Sequence, residues 1–244
     1  MSVEVTGDGI ATLRLDNAPL NLLTVSARAE LANAVHDLAA DPAVRAVVLY
    51  GGDKVFSAGD DARELLDLDA AQAGRFAASV QNLFDAVAQL PKPVVAAISG
   101  YAISSGAGLA LCADWRIIGD NVKLAFGEVH QGGIPIGGTL ERLMFLVGES
   151  NVRDLVFSGR FVEPDEAKAL RLVDEVVAPD DVYTAAMAWA MRMRHAPSAA
   201  VGAVKRVLSA ETVEDQEFSD LASTAERRQL LEAFLASGPV AARG

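Results

Sequence analysis

Apolar positions along this chain switch repeatedly between short unbroken runs and a period near that of an α-helix, and the order of the switches predicts the architecture. Val3 to Leu15 alternates apolar and polar residues about Gly7-Asp8-Gly9, the signature of a β-hairpin. Thr24 then stands as a helix cap ahead of Leu31, Ala34, Val35 and Leu38, which share one helical face, and Pro42 sets the end of that helix. The run from Val44 reads as strand and ends in Gly51-Gly52. Val80, Leu83, Phe84, Val87 and Leu90 form a second helical stripe, and Pro91-Lys92-Pro93 stops it and introduces the next strand. Strand and helix thus alternate as β-β-α units. After Pro164 helices dominate, over roughly 164–170, 180–195, 198–209 and 213–236, with Leu172 to Val177 reading as strand. The pattern predicts an α/β core over residues 1–190 and a helical region over 191–244, with no low-complexity linker or internal repeat between them.

Two of the strand-like runs lead into small residues, and there the pattern begins to suggest chemistry. Lys92 to Ile118 reads KPVVAAISGYAISSGAGLALCADWRII, with a helical pattern starting near Ser105. Ser99, Gly100, Ala102, Ser104, Ser105, Gly106, Ala107 and Gly108 would let main chain approach a ligand closely and offer unpaired N–H groups to a developing negative charge. The same stretch also reads as a packing turn between strand and helix. Upstream, Phe56-Ser57-Ala58-Gly59-Asp60-Asp61 follows another strand end. In an open α/β arrangement such loops gather at the carboxyl ends of neighbouring strands, so one N–H from each could converge on a single carbonyl oxygen.

Several motifs together carry a resemblance. Phe56 to Asp61 (FSAGDD), Lys92 to Ala102 (KPVVAAISGYA), Asp114 to Ile118, Ala125 to Pro135 (AFGEVHQGGIP), Gly137-Gly138 and Glu141-Arg142-Leu143 fall in the order and spacing of the enoyl-CoA hydratase/isomerase, or crotonase, family. The resemblance covers about the first 200 residues. It implies a spiral of repeated ββα units with a helical C-terminal region that packs on neighbouring subunits, hence a homotrimer or dimer of trimers. It also implies an acyl-CoA substrate, CoA being part of that substrate with no permanently bound cofactor; a lone cysteine offers no Cys-based metal cluster, and no metal is expected. Carried over by position, the oxyanion-binding N–H groups are those of Ser57 and Ser105, and the loop Ala58, Gly59, Asp60 and Asp61 lies against the adenine end of CoA. Of the two glutamates that hydratases of this family use, the later one matches Glu128, seven residues before Pro135, whereas the earlier falls on Gly108.

That departure bears on the reaction. Hydrating a 2-enoyl thioester needs a water to be held and deprotonated while a proton reaches the α carbon, work suited to paired carboxylates. Moving a double bond from the 3 to the 2 position needs one group that takes the α proton and returns it at the γ carbon. The expectation is therefore isomerisation with Glu128 as base. Hydration, a non-catalytic acyl-CoA binder and a serine hydrolase built on Ser104 or Ser105 with His130 stand as alternatives. A free glutamate has a pKa of about 4.3, so Phe126, Val129 and Ile134 are expected to raise that of Glu128 by desolvation.

Composition narrows the partners. Hydrophobic residues make up 51% of 244, enough for a sizeable core, and no run approaches the length needed to span a bilayer. The opening MSVEVTGDG has no basic region before an apolar one, so a cytoplasmic location is expected. The net charge of −12 argues against nucleic acid as a partner. CoA phosphates still need cations, and the candidates are Lys54, Arg63, Lys92, Lys205 and Arg206, because DNAPLNLLT has none and the tail LASGPVAARG has only Arg243. The single cysteine, Cys112, in what reads as an apolar helix, is a small core residue.

Overall fold

The computed structural model describes residues 1–237. In chain order the elements are β1 (Ser2–Val5), β2 (Ile10–Arg14), α1 (Val25–Ala40), β3 (Ala46–Tyr50), α2 (Ala62–Leu65), α3 (Ala70–Ala88), β4 (Val94–Ile98), β5 (Tyr101–Ile103), α4 (Ser105–Ala110), β6 (Trp115–Gly119), β7 (Lys123–Ala125), α5 (Thr139–Val147), α6 (Glu149–Ser158), α7 (Pro164–Ala169), β8 (Glu175–Val177), α8 (Val182–Met193), α9 (Ser198–Leu208), α10 (Glu214–Ala222) and α11 (Ala225–Ser237). The main sheet runs β1-β2-β3-β4-β6-β8, antiparallel only at the β1–β2 hairpin and parallel thereafter. A second, small sheet pairs β5 with β7 in parallel.

Every residue of β3 and β4 is buried, as parallel strands covered on both faces require. Side chains alternate between the faces. Val47, Leu49, Val94, Ala96 and Ile98 pack into the larger core with α1 and α3, whose Leu31, Val35, Leu38, Val80, Leu83, Phe84 and Val87 supply the expected stripes. Ala46, Val48, Tyr50, Val95, Ala97 and Ile117 face the other way, against Val182, Ala186, Trp189 and Ala190 of α8. The Thr24 hydroxyl caps α1 as expected, accepting from the Ala27 N–H at 3.2 Å.

Two local expectations change, and one stretch that carried none is helical. The helix after Ser105 ends at Ala110, so Cys112 is buried in the following turn. The span 213–236 divides into α10 and α11 at Ser223-Thr224, whose hydroxyls bond back to the carbonyls of Asp220 and Leu221 at 2.8 Å each. Between Gly138 and Pro164 stand α5 and α6, for which the apolar spacing gave no expectation. Among the described residues no helix is long and apolar enough to cross a membrane.

Candidate active site

The small sheet positions the site. Ser57 forms a parallel bridge to Ala102, and Ala102 lies opposite Leu124 in the β5–β7 ladder. Three chain segments therefore leave one layer side by side at their carboxyl ends: Ala58 to Asp61, Ser104-Ser105 and Phe126 to Glu128. The turn into α4 is tight, with Ser104 at φ 54° and its N–H donating to the Ala125 carbonyl at 2.8 Å. Gly59 has φ +88°, and a Cβ there would lie 2.9 Å from the Ile103 oxygen and 3.3 Å from the Ser105 nitrogen. Only glycine lets the two loops approach this closely.

The same ladder corrects the expectation for Ser57. Its N–H donates to the Tyr101 carbonyl at 3.1 Å and so is committed to the bridge. Its hydroxyl is committed too, donating to the Asn21 carbonyl at 2.7 Å and accepting from the Gly59 N–H at 3.1 Å. The Ala58 N–H donates to Leu20 at 3.0 Å. The next main-chain N–H in this loop, that of Asp60, has no acceptor among the described residues, and the Ser105 N–H has none either. Asp60 and Ser105 thus each bring an unpaired donor to the place where the two loops approach, with Ser57 acting as a strut beneath them.

Two residues outside the sequence motifs shape this loop. Asn21, at φ 50°, donates from its side-chain amide to the carbonyls of Gly51 and Val55 at 2.6 and 2.9 Å. Arg28 is buried in α1, donates to the Leu23 carbonyl and pairs with Asp60 Oδ1 at 2.9 Å, its guanidinium 4.5 Å from the centre of the Phe76 ring. A signal for Arg28 was present in the sequence, since it is a cation one helical turn before Leu31 on an otherwise apolar face. The other carboxylate oxygen of Asp60, Oδ2, accepts from the Ser105 hydroxyl. Burial pushes the Asp60 carboxyl above the usual range, against the opposing pull of Ser105 and Arg28.

Glu128 opens a single 3-10 turn, Glu128 to Gln131, which the Gly133 N–H closes by donating to the Glu128 carbonyl at 2.9 Å. Its Oε2 is buried and has no hydrogen-bond partner among the described residues. Burial raises its pKa above the ordinary carboxylate value; its own N–H works against the shift, and the nearby charge of Asp60 adds to it. The apolar neighbours contribute unequally, because Phe126 is fully buried while Val129 and Ile134 are 37% and 64% exposed. His130 is turned away, its ring Nε2 donating to the Ser158 carbonyl at 2.8 Å at the end of α6. Among the described residues Ser105 and His130 are therefore not paired, since the Ser105 hydroxyl is directed to Asp60 and the His130 ring to α6.

Gly108, where a second glutamate would stand, faces a filled wall. A Cβ on it would lie 2.4 Å from Thr139 Oγ1 and 3.0 Å from Phe84 Cε2. Three of the five proposed phosphate-binding cations are absorbed by the fold. The Lys92 ammonium donates to the Asp41 and Val44 carbonyls, Lys205 pairs with Asp114 at 2.7 Å, and Arg206 pairs with Glu217 at 2.7 Å. Arg63 pairs with Asp61 at 2.9 Å but keeps 85% of its side chain exposed, and Lys54 is exposed as well.

Comparison with known proteins identifies the family and the fold. Residues 5–237 match the family model described as enoyl-CoA hydratase/isomerase. The chain is 46% identical over 228 residues to "Probable enoyl-CoA hydratase EchA17" of Mycobacterium tuberculosis, covering 93% of this chain and 86% of that protein. Among solved structures it superposes on Pseudomonas aeruginosa DspI with a TM-score of 0.88 at 28% identity, covering 97% and 94% of the two chains. It superposes on an enoyl-CoA hydratase from Bacillus anthracis with a TM-score of 0.86 at 28% identity, covering 97% and 96%. The protein has the crotonase fold, and the chain belongs to the enoyl-CoA hydratase/isomerase family.

Proposed function

We propose that this enzyme moves the double bond of a 3-enoyl-CoA to the 2 position through an enolate, with Glu128 as the only group that carries the proton. The observation that supports it is the contrast between two walls of the site. Glu128 brings a desolvated carboxylate with a free oxygen within the field of Asp60, whereas the Gly108 wall is closed by Thr139 and Phe84. The Asp60 and Ser105 N–H groups hold the thioester oxygen. The Glu128 carboxylate removes a proton from the α carbon, charge builds on the thioester oxygen through the dienolate, and the same carboxyl returns the proton at the γ carbon. A raised pKa suits both halves, making Glu128 a stronger base first and a ready acid afterwards.

The substrate reading follows the family: CoA runs along Ala58, Gly59, Asp60 and Asp61, and of the candidate cations Lys54 and Arg63 remain exposed for its phosphates. The acyl chain is assigned to the groove between α3 and residues 134–141, about 430 Å³, lined by Ala77, Ala78, Ile134, Pro135 and Ile136. A homotrimer or dimer of trimers is supported by the exposed aromatic residues Phe145, Phe157 and Phe218 on α5, α6 and α10. Hydration is the second reading, favoured by the hydratase names of the relatives.

The test is paired turnover of a 3-enoyl-CoA and a 2-enoyl-CoA by the purified protein and its Glu128→Gln variant. Isomerisation without hydration, reduced about 10²–10⁴-fold in the variant, is the expected result. Hydration without isomerisation would overturn it.

A further inference from the structure

We infer that the Asp60 side chain is a positioning residue, a carboxylate clamp that ties its own loop to Ser105 and Arg28 and so sets the gap between the two unpaired N–H groups. The inference rests on the reading that those two groups bind the thioester oxygen. It begins from where the ladder stops. Ser57 and Ile103 are the last residues that join the two loops through main chain, the Ile103 N–H donating to the Ser57 carbonyl at 3.0 Å. Beyond them the main chain of the first loop bonds elsewhere: the Ala58 N–H to Leu20 at 3.0 Å, and the Gly59 carbonyl to the Leu23 N–H at 2.8 Å. Among the described residues, the hydrogen bond that spans the gap between Asp60 and Ser105 is therefore a side-chain one, from the Ser105 hydroxyl to Asp60 Oδ2. Both ends are shielded from water, Ser105 being 5% exposed and the Asp60 side chain 11%.

A carboxylate beside an oxyanion site needs a reason to be tolerated, because its charge opposes the one that builds on the substrate. Arg28 supplies it. The guanidinium sits 2.9 Å from Asp60 Oδ1 and 3.6 Å from Glu64, and is itself held by the Leu23 carbonyl and the Phe76 ring. Asp60 is thus neutralised from behind while its second oxygen grips Ser105. With both oxygens occupied it has none free to exchange protons with substrate, unlike Glu128. Asparagine could reproduce the geometry without the charge, accepting from Arg28 and donating to the Ser105 oxygen.

The experiment uses the full chain with Asp60→Ala, Ser105→Ala, the double variant and Asp60→Asn, reading kcat and KM on the better of the two enoyl-CoA substrates. Hydrogen exchange of peptides covering 57–61 and 103–108 is measured in parallel. The clamp predicts that each alanine variant loses about a hundred-fold in kcat with KM little changed, as a misplacement of about 1 Å would cause. It predicts that the double variant is no worse than the poorer single, and that Asp60→Asn recovers at least about ten-fold of the loss. Both alanine variants should also exchange faster in the two peptides while the sheet peptides stay protected. Ser105→Ala removes one oxygen and leaves Arg28 paired, so it reads the clamp even where Asp60→Ala folds poorly. Additive losses, or an Asp60→Asn variant as poor as Asp60→Ala, would overturn the clamp while leaving the enolate reading intact. If the parent protein turns over neither substrate, the enolate reading fails, and unchanged exchange in the two peptides would then overturn the clamp separately.

Discussion

Substituting alanine at Gly108 tests whether the wall of Thr139 and Phe84 that faces it is as closed as it looks. Gly108 lies inside α4, its N–H bonded to the Ser104 carbonyl at 2.9 Å, and it does not need a positive φ. In a roomy site such a change would stabilise the protein by about 0.5–1 kcal/mol through helix propensity. Here the new methyl would arrive 2.4 Å from Thr139 Oγ1, 3.0 Å from Phe84 Cε2 and 3.5 Å from Thr139 Cβ. Thr139 is 2% exposed and its hydroxyl donates to the Ile136 carbonyl at 2.7 Å, so it yields only by giving up that bond. Overpacking costs about 1–3 kcal/mol and a lost hydrogen bond about 1. Set against the propensity gain, the net expectation is a loss of about 1–3 kcal/mol, or several degrees in Tm at this chain length. Urea unfolding followed by the fluorescence of Trp115 and Trp189, at one protein concentration, measures it. Thr139→Ala removes the atom that is struck, so the double variant should lose less than the two singles added together. A Gly108→Ala protein as stable as the parent, or more so, would refute the packing argument and with it the reason for excluding a second carboxylate. The same geometry predicts that Gly108→Glu loses stability without acquiring hydratase activity.

Two further outcomes follow from buried charge. Burial raises the Glu128 pKa, so the folded protein binds that proton more tightly than the unfolded chain, and the group's contribution to stability is lost as pH rises through the raised value. Glu128→Gln should therefore melt higher than the parent at pH 7–8, with the difference vanishing below about pH 4, where the unfolded carboxyl is protonated as well; a pH-independent difference would contradict the assignment. Lys92→Met takes the ammonium donor from the Val44 carbonyl and leaves the Asp41 carbonyl only the Val44 N–H, and should cost about 1–3 kcal/mol in a denaturant titration while the KM for acyl-CoA stays put; a raised KM with unaltered stability would restore Lys92 as a phosphate ligand.

The sequence carried the layers of the fold because the rule that makes them is periodic. Leu31, Val35 and Leu38, or Val80, Leu83 and Phe84, recur with helical spacing and are buried for that reason. It marked Glu128 as a candidate because a motif fixes its distance from Pro135. It did not show which N–H of the first loop is left unpaired. Whether the N–H of Ser57 or Asp60 is free depends on where the β5 ladder ends, a pairing between residues 57 and 102 that no local pattern encodes. The fate of the cations was hidden for a similar reason, since Lys92 looks like a surface charge until Asp41 and Val44 fold over it. The break at Ser223-Thr224 left a trace only in two hydroxyls able to bond back to their own turn.

What distinguishes this site is that acidity missing from one position is present at another. Gly108 has no carboxyl and no room for one, while the loop across from it contributes Asp60, whose charge is spent on Arg28 and Ser105. Its field still reaches Glu128 and adds to the rise that burial causes in that carboxyl's pKa. An acid that is neutralised from behind can strengthen a neighbouring base without competing for its proton. On the proposed reading, this suits a reaction in which a single group removes a proton and then returns it, rather than one that needs a second group to hold water.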